Sequence, residues 1–206
     1  MNQYHKIYSP FVRDEVTNKL TREWSRPEFE YLKDKTWYGT EKVDGTNIRV
    51  MWTGTDVVFG GKTDNAQLPS DLVRILGEKF STITMRQKFA EKFADKKVCF
   101  YGEGYGAGIQ KGGCYRQDKS FILFDVWIED VWLNIGNVKG IAESFGIDLV
   151  PTVKEGTLDE LVAYIESKPK STWGDFEMEG IVARPSCVLL NNCGERLITK
   201  IKCCDF

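Results

Sequence analysis

Alternating apolar and polar side chains predict paired strands in the first third of the chain. Residues 46–52 (TNIRVMW) and 56–60 (DVVFG) show the period of two that places successive side chains on opposite faces of a strand. A Thr-Gly-Thr turn joins the two segments, so a β-hairpin is the favoured structure. Residues 36–42 (TWYGTEK), just before the hairpin, form a further predicted strand.

The rest of the chain alternates between predicted strands and predicted helices. Apolar residues at helical spacing predict two helices over residues 70–94, interrupted near residues 77–81. Residues 157–168 form a third predicted helix, in which Thr157 and Glu160 fit a capping box. Further strands are predicted over residues 97–103, 121–128, 131–135, 177–185 and 196–202, and the second and third of these form a second hairpin.

This order of elements indicates the fold class. Strand hairpins interleaved with helices are typical of an α+β domain built on antiparallel sheets. The sequence contains no internal repeat, no low-complexity segment and no Pro/Gly/Ser linker. We therefore expect a single domain over residues 1–206.

Composition narrows the class of protein. Apolar residues make up 42% of the chain and charged residues 28%, which is ordinary for a globular protein in water. No stretch approaches the roughly 20 apolar residues of a membrane span, and the first ten residues lack the apolar run of a signal peptide. We therefore expect an intracellular, cytoplasmic protein with no membrane partner.

Cysteine and histidine usage excludes two kinds of site. The chain has six cysteines, none of them in a Cys-x-x-Cys pair, and its one histidine is His5. This pattern offers no zinc site and makes a Ser-His or Cys-His nucleophile very improbable. Free thiols in a reducing compartment are the better interpretation.

Charge is unevenly distributed along the chain. The formal net charge is −2, which by itself does not indicate a nucleic-acid-binding protein. Residues 60–119 carry 11 basic and 7 acidic side chains, whereas residues 120–206 carry 8 and 14. A local basic surface in the middle third is possible, although a solvated face is the commoner meaning of such a bias.

The segment with the clearest chemical content is residues 41–47, Glu-Lys-Val-Asp-Gly-Thr-Asn. The first predicted strand ends at the lysine. A carboxylate and a glycine come next, and a second predicted strand then begins. Alone, Lys-x-Asp-Gly is a weak signal, since ordinary turns contain the same residues. It gains weight from the segments that follow it in order: Gly-Gly-Lys-Thr at 60–63, Phe-Tyr-Gly-Glu at 100–103 with a glycine-rich loop to residue 111, Phe-Ile-Leu-Phe-Asp at 121–125, Glu-Met-Glu-Gly at 177–180, and Ile-Thr-Lys-Ile-Lys at 198–202.

This ordered series resembles the motifs of the covalent nucleotidyltransferase superfamily, which comprises ATP-dependent DNA ligases, RNA ligases and mRNA capping enzymes. The resemblance runs from about residue 38 to residue 202. The Gly-Ile-Gln-Lys stretch at 108–111 and the Thr-Asn at 46–47 are most similar to the type-two RNA ligases of phages and kinetoplastid editing. The resemblance implies an ATP-grasp-like nucleotidyltransferase domain with two antiparallel sheets flanked by helices, and a catalytic domain without a C-terminal appended domain.

The resemblance also assigns catalytic roles. Lys42 would attack the α-phosphorus of ATP and become lysyl-AMP. Lys200 and Lys202, which strand periodicity places on one face, would favour the uncharged amine of Lys42, bind the α-phosphate and stabilise departing pyrophosphate. Glu179 would be a ligand of Mg²⁺, for which Mn²⁺ is a possible substitute, and Asp44 would share this role or orient Lys42.

The remaining assignments concern nucleotide binding. Glu103 would accept hydrogen bonds from ribose hydroxyls, Asn47 would contact a phosphate oxygen, and Phe124 would stack on adenine, with Phe121 as a competitor for that role. Lys62 would reach the ribose, the phosphates or the acceptor strand. Glu41 belongs to the cofactor-binding motif, although Glu41, Gly45 and Gly180 are better suited to shaping the backbone than to taking part in the chemistry.

The implied reaction seals a polynucleotide. AMP passes from Lys42 to a 5′-phosphate, and a 3′-hydroxyl then attacks and releases AMP. The expected partner is a nucleic-acid end, in particular a nicked duplex containing RNA, and no obligate protein partner is evident.

Two departures from the family pattern keep alternatives open: type-two ligases often have histidine at the position of Asp44 and usually arginine at that of Lys62. A small DNA ligase, a capping guanylyltransferase and a non-catalytic ligase relative are the competing interpretations.

Overall fold

The computed structural model describes residues 3–206, which form two compact units. Unit 1 contains residues 3–5 and 44–149, and unit 2 contains residues 6–43 and 150–206. The expectation of one nucleotidyltransferase domain over residues 1–206 stays a prediction.

In chain order the strands are β1 Phe11–Arg13, β2 Leu20–Trp24, β3 Trp37–Glu41, β4 Thr46–Trp52, β5 Val57–Gly60, β6 Val98–Tyr105, β7 Ser120–Ile128, β8 Val131–Trp132, β9 Thr152–Gly156, β10 Gly180–Pro185 and β11 Thr199–Lys202. The helices are α1 Pro27–Leu32, α2 Ser70–Phe80, α3 Ile83–Phe93, α4 Ile135–Phe145 and α5 Leu158–Glu166.

Unit 1 is built on a five-stranded antiparallel sheet with the strand order β5-β4-β6-β7-β8. Both predicted hairpins are present in it, β4–β5 and β7–β8. Side chains from α2, α3 and α4 pack with those of one sheet face in a core rich in aromatic rings. Its members include Trp52, Phe89, Phe100 and Phe145, which are all buried. This burial of apolar area is the main force that stabilises the unit.

The predicted helix pair over residues 70–94 corresponds to α2 and α3. The interruption falls at Ser81 and Thr82, because α2 continues through Gly77 to Phe80. Thr82 caps α3 by accepting a hydrogen bond from the Met85 backbone N–H at 3.2 Å. The segment predicted as a strand over residues 131–135 is shorter, since Asn134 caps α4 and ends the extended run.

A β-bulge interrupts the pairing of β6 with β7. Tyr101 pairs with Asp125 and Gly102 pairs with Leu123, so Phe124 is the extra residue. The bulge changes the phase of side-chain alternation on β7. Phe124 and Asp125, although adjacent, therefore both contact Tyr4, whose ring lies 5.1 Å from that of Phe124 and whose hydroxyl donates to Asp125 Oδ2 at 2.8 Å.

Unit 2 is built on a four-stranded antiparallel sheet with the order β11-β10-β3-β9, together with the β1–β2 hairpin. The core of this unit contains Trp37, Ile181 and Ile201 from the sheet, with Leu161 and Ile165 from α5. The two antiparallel sheets with their packed helices confirm the predicted α+β class.

The capping box predicted at residue 157 is present at the start of α5. Thr157 Oγ1 accepts from the Glu160 backbone N–H at 3.2 Å, and Glu160 Oε2 accepts from the Thr157 N–H at 2.8 Å. Across residues 3–206, the structure contains no helix whose length and apolar character would allow it to cross a membrane.

Candidate functional site

Lys42 directly follows β3 and is held by its backbone. Its N–H donates to the carbonyl of Gly180 at 2.9 Å, which continues the pairing of β3 with β10 by one residue. Its ammonium group donates to Glu179 Oε2 at 2.6 Å. The side chains of Lys42 and Glu179 are 27% and 18% exposed, so the pair is reachable by a ligand yet shielded from bulk water.

Glu179 precedes β10 and uses both carboxylate oxygens. Its Oε1 accepts a hydrogen bond from Lys202 Nζ at 2.7 Å, while Oε2 is bonded to Lys42. The strand register brings these residues together, because Gly180 is the cross-strand partner of Lys202. The Cys203 N–H also donates to the carbonyl of Glu179 at 3.0 Å. One carboxylate therefore bridges the two lysines that the sequence placed 160 positions apart (42 and 202).

The environment of Lys202 keeps its amine charged. Burial is the largest single influence and would lower the pKa of Lys202, but the hydrogen bond to Glu179 and the charges of Glu179 and Asp205 are among the opposing effects that together raise that pKa above the ordinary 10.5. Lys202 is therefore a fixed positive charge around neutral pH. Such a group is suited to bind phosphate and unsuited to act as a nucleophile.

Lys200 lies two residues before Lys202 on β11 and pairs with Val182. Its backbone N–H donates to the carbonyl of Tyr8 at 3.0 Å. The period of two places its side chain on the same face as that of Lys202, as the sequence predicted. Its side chain is half-buried. Unit 2 thus presents Lys42, Glu179, Lys200 and Lys202 on neighbouring strands.

Glu41 faces the other way from these residues. Its side chain is 1% exposed, and Oε2 accepts from the Thr172 N–H at 2.9 Å and from Thr172 Oγ1 at 2.8 Å. Alternation along β3 places it on the same face as Gly39, where a Cβ would lie 3.3 Å from Leu161 of α5. The carboxylate of Glu41 thus holds the loop that contains Thr172. A contact between Glu41 and a cofactor stays a prediction.

Asp44 and Gly45, in unit 1, form the turn that follows Lys42 in sequence. The hydroxyl of Tyr115, from the glycine-rich loop, accepts a hydrogen bond from the Asp44 N–H at 3.2 Å. A Cβ on Gly45 would lie 2.4 Å from the carbonyl of Gly104. Only glycine permits this approach, so the Lys-x-Asp-Gly spacing has a steric reason here.

Asn47 and Glu103 are direct cross-strand partners on β4 and β6. Both side chains are half-buried, and the Asn47 Oδ1 atom is buried without a hydrogen-bond partner within the described residues. A buried amide without a partner is costly, and a bound ligand can supply one. A donor such as a ribose hydroxyl suits Oδ1, and rotation of the amide would offer its NH₂ to a phosphate oxygen.

Lys62 is exposed on the loop after β5. The loop is anchored by Arg49, whose side chain is 1% exposed. Arg49 Nε donates to the carbonyl of Gly61 at 2.8 Å and Nη2 donates to Asp64 Oδ1 at 2.7 Å. The segment that carries Lys62 is therefore fixed at both sides while Lys62 itself extends into solvent.

The two candidates for adenine stacking occupy different environments. Phe121 is completely buried in the unit 1 core, where its ring lies 5.3 Å from that of Phe80. Phe124 is half-buried on the opposite side of the sheet, in a cluster with Tyr101 and Tyr4. Of the two rings, only that of Phe124 retains an exposed part, and its stacking role stays a prediction.

Several residues that support the site were missed by the sequence analysis. Each of the following four residues makes a hydrogen bond with a residue of one of the motifs: Tyr4, Tyr115, Arg49 and Asp205. Arg49 offered a partial signal: a charged residue in the middle of an otherwise apolar strand needs a buried partner if both faces of the sheet are covered. The others had no signal in a single sequence.

The fold matches solved structures of Naegleria gruberi RNA ligase. A structure of Naegleria gruberi RNA ligase with ATP and Mn is 16% identical, with a TM-score of 0.67 over 98% of this chain and 59% of the other. A structure with AMP and Mn is 15% identical, with a TM-score of 0.67 over 95% and 60% of the two chains. A third, with PPi, is 15% identical, with a TM-score of 0.67 over 97% and 61%. This chain therefore spans about three fifths of those proteins, and the likeness confirms the predicted ligase fold.

The sequence comparisons agree with the fold. No curated protein sequence matches the chain. The sequence model of the family described as RNA ligase matches residues 35–202, which include Lys42, Glu179 and Lys202. That match covers well over half of the 206 residues. The chain belongs to the RNA ligase family.

Proposed function

We propose that this chain is an ATP-dependent RNA ligase that seals a 5′-phosphate to a 3′-hydroxyl through a lysyl-AMP intermediate at Lys42. The observation that carries the proposal is the bridge of Glu179 between Lys42 and Lys202, at the Lys-x-Asp-Gly motif of a chain in the RNA ligase family. The arrangement combines a reachable amine, a carboxylate and a fixed cation within a few ångströms.

In the first step, the amine of Lys42 attacks the α-phosphorus of ATP. A nitrogen–phosphorus bond forms, and the bond from phosphorus to the pyrophosphate oxygen breaks. The ammonium form has no lone pair, so Lys42 has to lose its proton before attack. Lys200 and Lys202 supply two positive charges from β11. They also bind the α-phosphate and stabilise the charge that develops as pyrophosphate leaves.

A divalent cation fits the acidic groups available. Within residues 3–206 no cluster of three or more histidine, cysteine or acidic side chains could hold a metal ion by itself. Mg²⁺ is commonly held by one or two carboxylates together with substrate phosphates and water, and Glu179 suits this mode. Asp44 is proposed either as a further ligand or as a group that orients Lys42. Mg²⁺, or Mn²⁺ in its place, would offset phosphate charge and orient the leaving group.

The remaining motif residues are proposed to bind the nucleotide. Glu103 accepts hydrogen bonds from the ribose, Asn47 contacts a phosphate oxygen, and Phe124 stacks on adenine. Lys62 contacts the phosphates or the acceptor strand, where its exposure leaves it free to reach. Glu41 belongs to the proposed nucleotide-binding set, although Oε2 of its carboxylate is bonded to Thr172.

The later steps use the nucleic acid. AMP is transferred from Lys42 to a 5′-phosphate, which gives a 5′-5′ adenylate and restores the free lysine. The 3′-hydroxyl then attacks that adenylate, forms the phosphodiester and releases AMP. A nicked duplex is the proposed substrate, because it presents both ends already juxtaposed and a regular array of phosphates.

Covalent labelling tests the proposal. Incubation with ATP labelled at the α-phosphate and with Mg²⁺ should attach label to the protein. Lys42→Ala should abolish the label, while Lys139→Ala, which removes an exposed lysine of α4, should leave it unchanged. Equal labelling of a folded Lys42→Ala protein would show that Lys42 is not the nucleophile and would refute the mechanism.

A small DNA ligase is the second candidate. The observation that favours it is Asp44, since type-two RNA ligases often have histidine at this position and aspartate is the commoner superfamily residue. The chemistry at Lys42 would be the same in both enzymes. Only the sugar at the sealed ends distinguishes the two functions.

A further inference from the structure

A short turn directly after β11 contains a buried carboxylate that the proposed chemistry does not use. Residues 203–205 form one turn of 3₁₀-helix, and Asp205 is 1% exposed. Its Oδ2 accepts a hydrogen bond from the backbone N–H of Lys202 at 2.9 Å. Its Oδ1 accepts from Arg13 Nη2 at 2.6 Å. One carboxylate thus joins the backbone of Lys202 to β1.

The β1–β2 hairpin holds this turn from one side. Arg13 also donates to the carbonyl of Asn18 within the hairpin, which fixes the direction of its guanidinium group. Lys19, from the hairpin turn, donates to the carbonyl of Cys204 at 2.9 Å. Two side chains of the hairpin therefore bind two successive residues of the turn that follows Lys202.

The same turn is also fixed by Glu179 and Gly180, at the start of β10. The Cys203 N–H donates to the Glu179 carbonyl at 3.0 Å, and Lys202 pairs with Gly180. The backbone of Lys202 is consequently set between Glu179 and Asp205. A shift of this backbone would move Lys202 Nζ away from the carboxylate oxygen that it contacts at 2.7 Å.

We propose that Asp205, held by Arg13, is a positioning residue that fixes the ammonium group of Lys202 for its contact with the α-phosphate. This inference rests on the proposed function, because it concerns the step that forms lysyl-AMP. In this proposal Asp205 acts through Lys202, whose backbone it binds, and not directly on the nucleotide or on Lys42. Misplacement of a catalytic group by about 1 Å can slow a reaction by about a hundredfold, so rigid support has a kinetic effect.

A role in stability alone does not account for this arrangement well. Asp205 is buried while the Arg13 side chain is 35% exposed, and the cost of removing the carboxylate from water offsets much of the attraction between them.

A double-mutant cycle in the full chain tests the inference. Asp205→Asn should slow lysyl-AMP formation at saturating ATP by about tenfold, which corresponds to about 1.4 kcal/mol of barrier. The same change should cost about tenfold in a Lys200→Ala background but less than about twofold in a Lys202→Ala background, since its effect passes through Lys202. Glu166→Gln is the matched control: it removes the carboxylate that pairs with Arg22 of the same hairpin, and it should leave the rate unchanged.

Each outcome decides the matter. An equal loss in the Lys200→Ala and Lys202→Ala backgrounds would reveal general structural damage and overturn the inference, as would an unchanged rate in Asp205→Asn. Where Asp205→Asn does not fold at the assay temperature, Arg13→Gln replaces it in the cycle, with about a threefold loss expected and the same dependence on Lys202. Absence of lysyl-AMP in the unmodified protein would instead refute the proposed function, so the two failures are distinguishable.

Discussion

Lys42 Nζ lies 2.6 Å from Glu179 Oε2, so a carboxylate holds the amine of the proposed nucleophile in a hydrogen bond. An amine needs a free lone pair to attack phosphorus, and in the proposed mechanism the pair therefore separates before lysyl-AMP forms. A divalent cation that takes Glu179 as a ligand would compete with both lysines for its oxygens. In the proposed mechanism the contact would thus link metal binding to release of the nucleophile.

This relationship predicts the behaviour of Glu179→Gln. A neutral amide holds a divalent cation more weakly than a carboxylate, so lysyl-AMP formation should slow by at least about tenfold, with a higher Mg²⁺ concentration at half-maximal rate. Titration of Mg²⁺ against the rate of labelling measures both effects. Glu177→Gln, an exposed change two residues earlier, should leave the titration unchanged. An unaltered Mg²⁺ midpoint in Glu179→Gln would remove Glu179 from the metal site.

Lys62→Ala should separate the steps of the reaction. Lys62 is exposed, and Arg49 rather than Lys62 anchors its loop, so the substitution should not disturb folding. We expect self-adenylylation to fall less than sealing of a nicked duplex, by about tenfold in the ratio of the two rates. Lys92→Ala, at an exposed position on α3, supplies the control. Equal losses in the two rates would assign Lys62 to ATP binding alone.

The sugar requirement distinguishes the two candidate functions. Nicked duplexes with RNA or DNA on the 3′-hydroxyl strand and on the 5′-phosphate strand, in all four combinations, should be sealed fastest when the 3′-hydroxyl strand is RNA. Sealing rates at fixed salt give the comparison, because salt alone changes affinity for nucleic acid. Equal or faster sealing of the all-DNA nick would favour the DNA ligase interpretation and leave the lysine chemistry intact.

Two glycines should respond to alanine in opposite directions. A Cβ on Gly102 would lie 2.3 Å from the carbonyl of Ile122 and from the ring of Phe121, so Gly102→Ala should destabilise the fold by about 3 kcal/mol. Gly140, inside α4, has open space where a Cβ would be, and alanine there should stabilise by up to about 1 kcal/mol. Urea unfolding measures both free energies. Similar stabilities for the two variants would contradict the packing described at the bulge.

The sequence predicted those elements whose side-chain pattern is strong and local. β4 begins and ends where the alternation over residues 46–52 places it, because each apolar residue on one face is buried. β9 was missed because Thr152–Gly156 is largely polar and lies at the edge of its sheet, where no face demands apolar residues. α4 was missed although Asn134 and Gly146 give it a helix start and stop, since VWLNI resembled a strand.

The residues of the candidate site likewise divide into those that the sequence could predict and those that it could not. The motif residues Lys42, Glu179 and Lys202 could be named because their spacing resembles a family, and the structure brings them into contact. Asp205 and Arg13 could not be named, because they meet only when the folded chain brings the turn after β11 beside β1. Long-range contacts between single polar residues leave no periodic trace in one sequence.

The two units also differ in when their sheets can be completed during synthesis. All strand pairs of unit 1 lie between residues 46 and 132, so its sheet is finished soon after that segment leaves the ribosome. In unit 2, Trp37 on β3 pairs with Gly156 on β9 and with Pro185 on β10. Closing so long a loop is entropically unfavourable and slow. A nascent chain that stops before residue 150 therefore carries a complete set of unit 1 strand pairs and a strand, residues 37–41, whose backbone has no partner from β9 or β10. Such unpaired edges are the part of a growing chain most prone to aggregate.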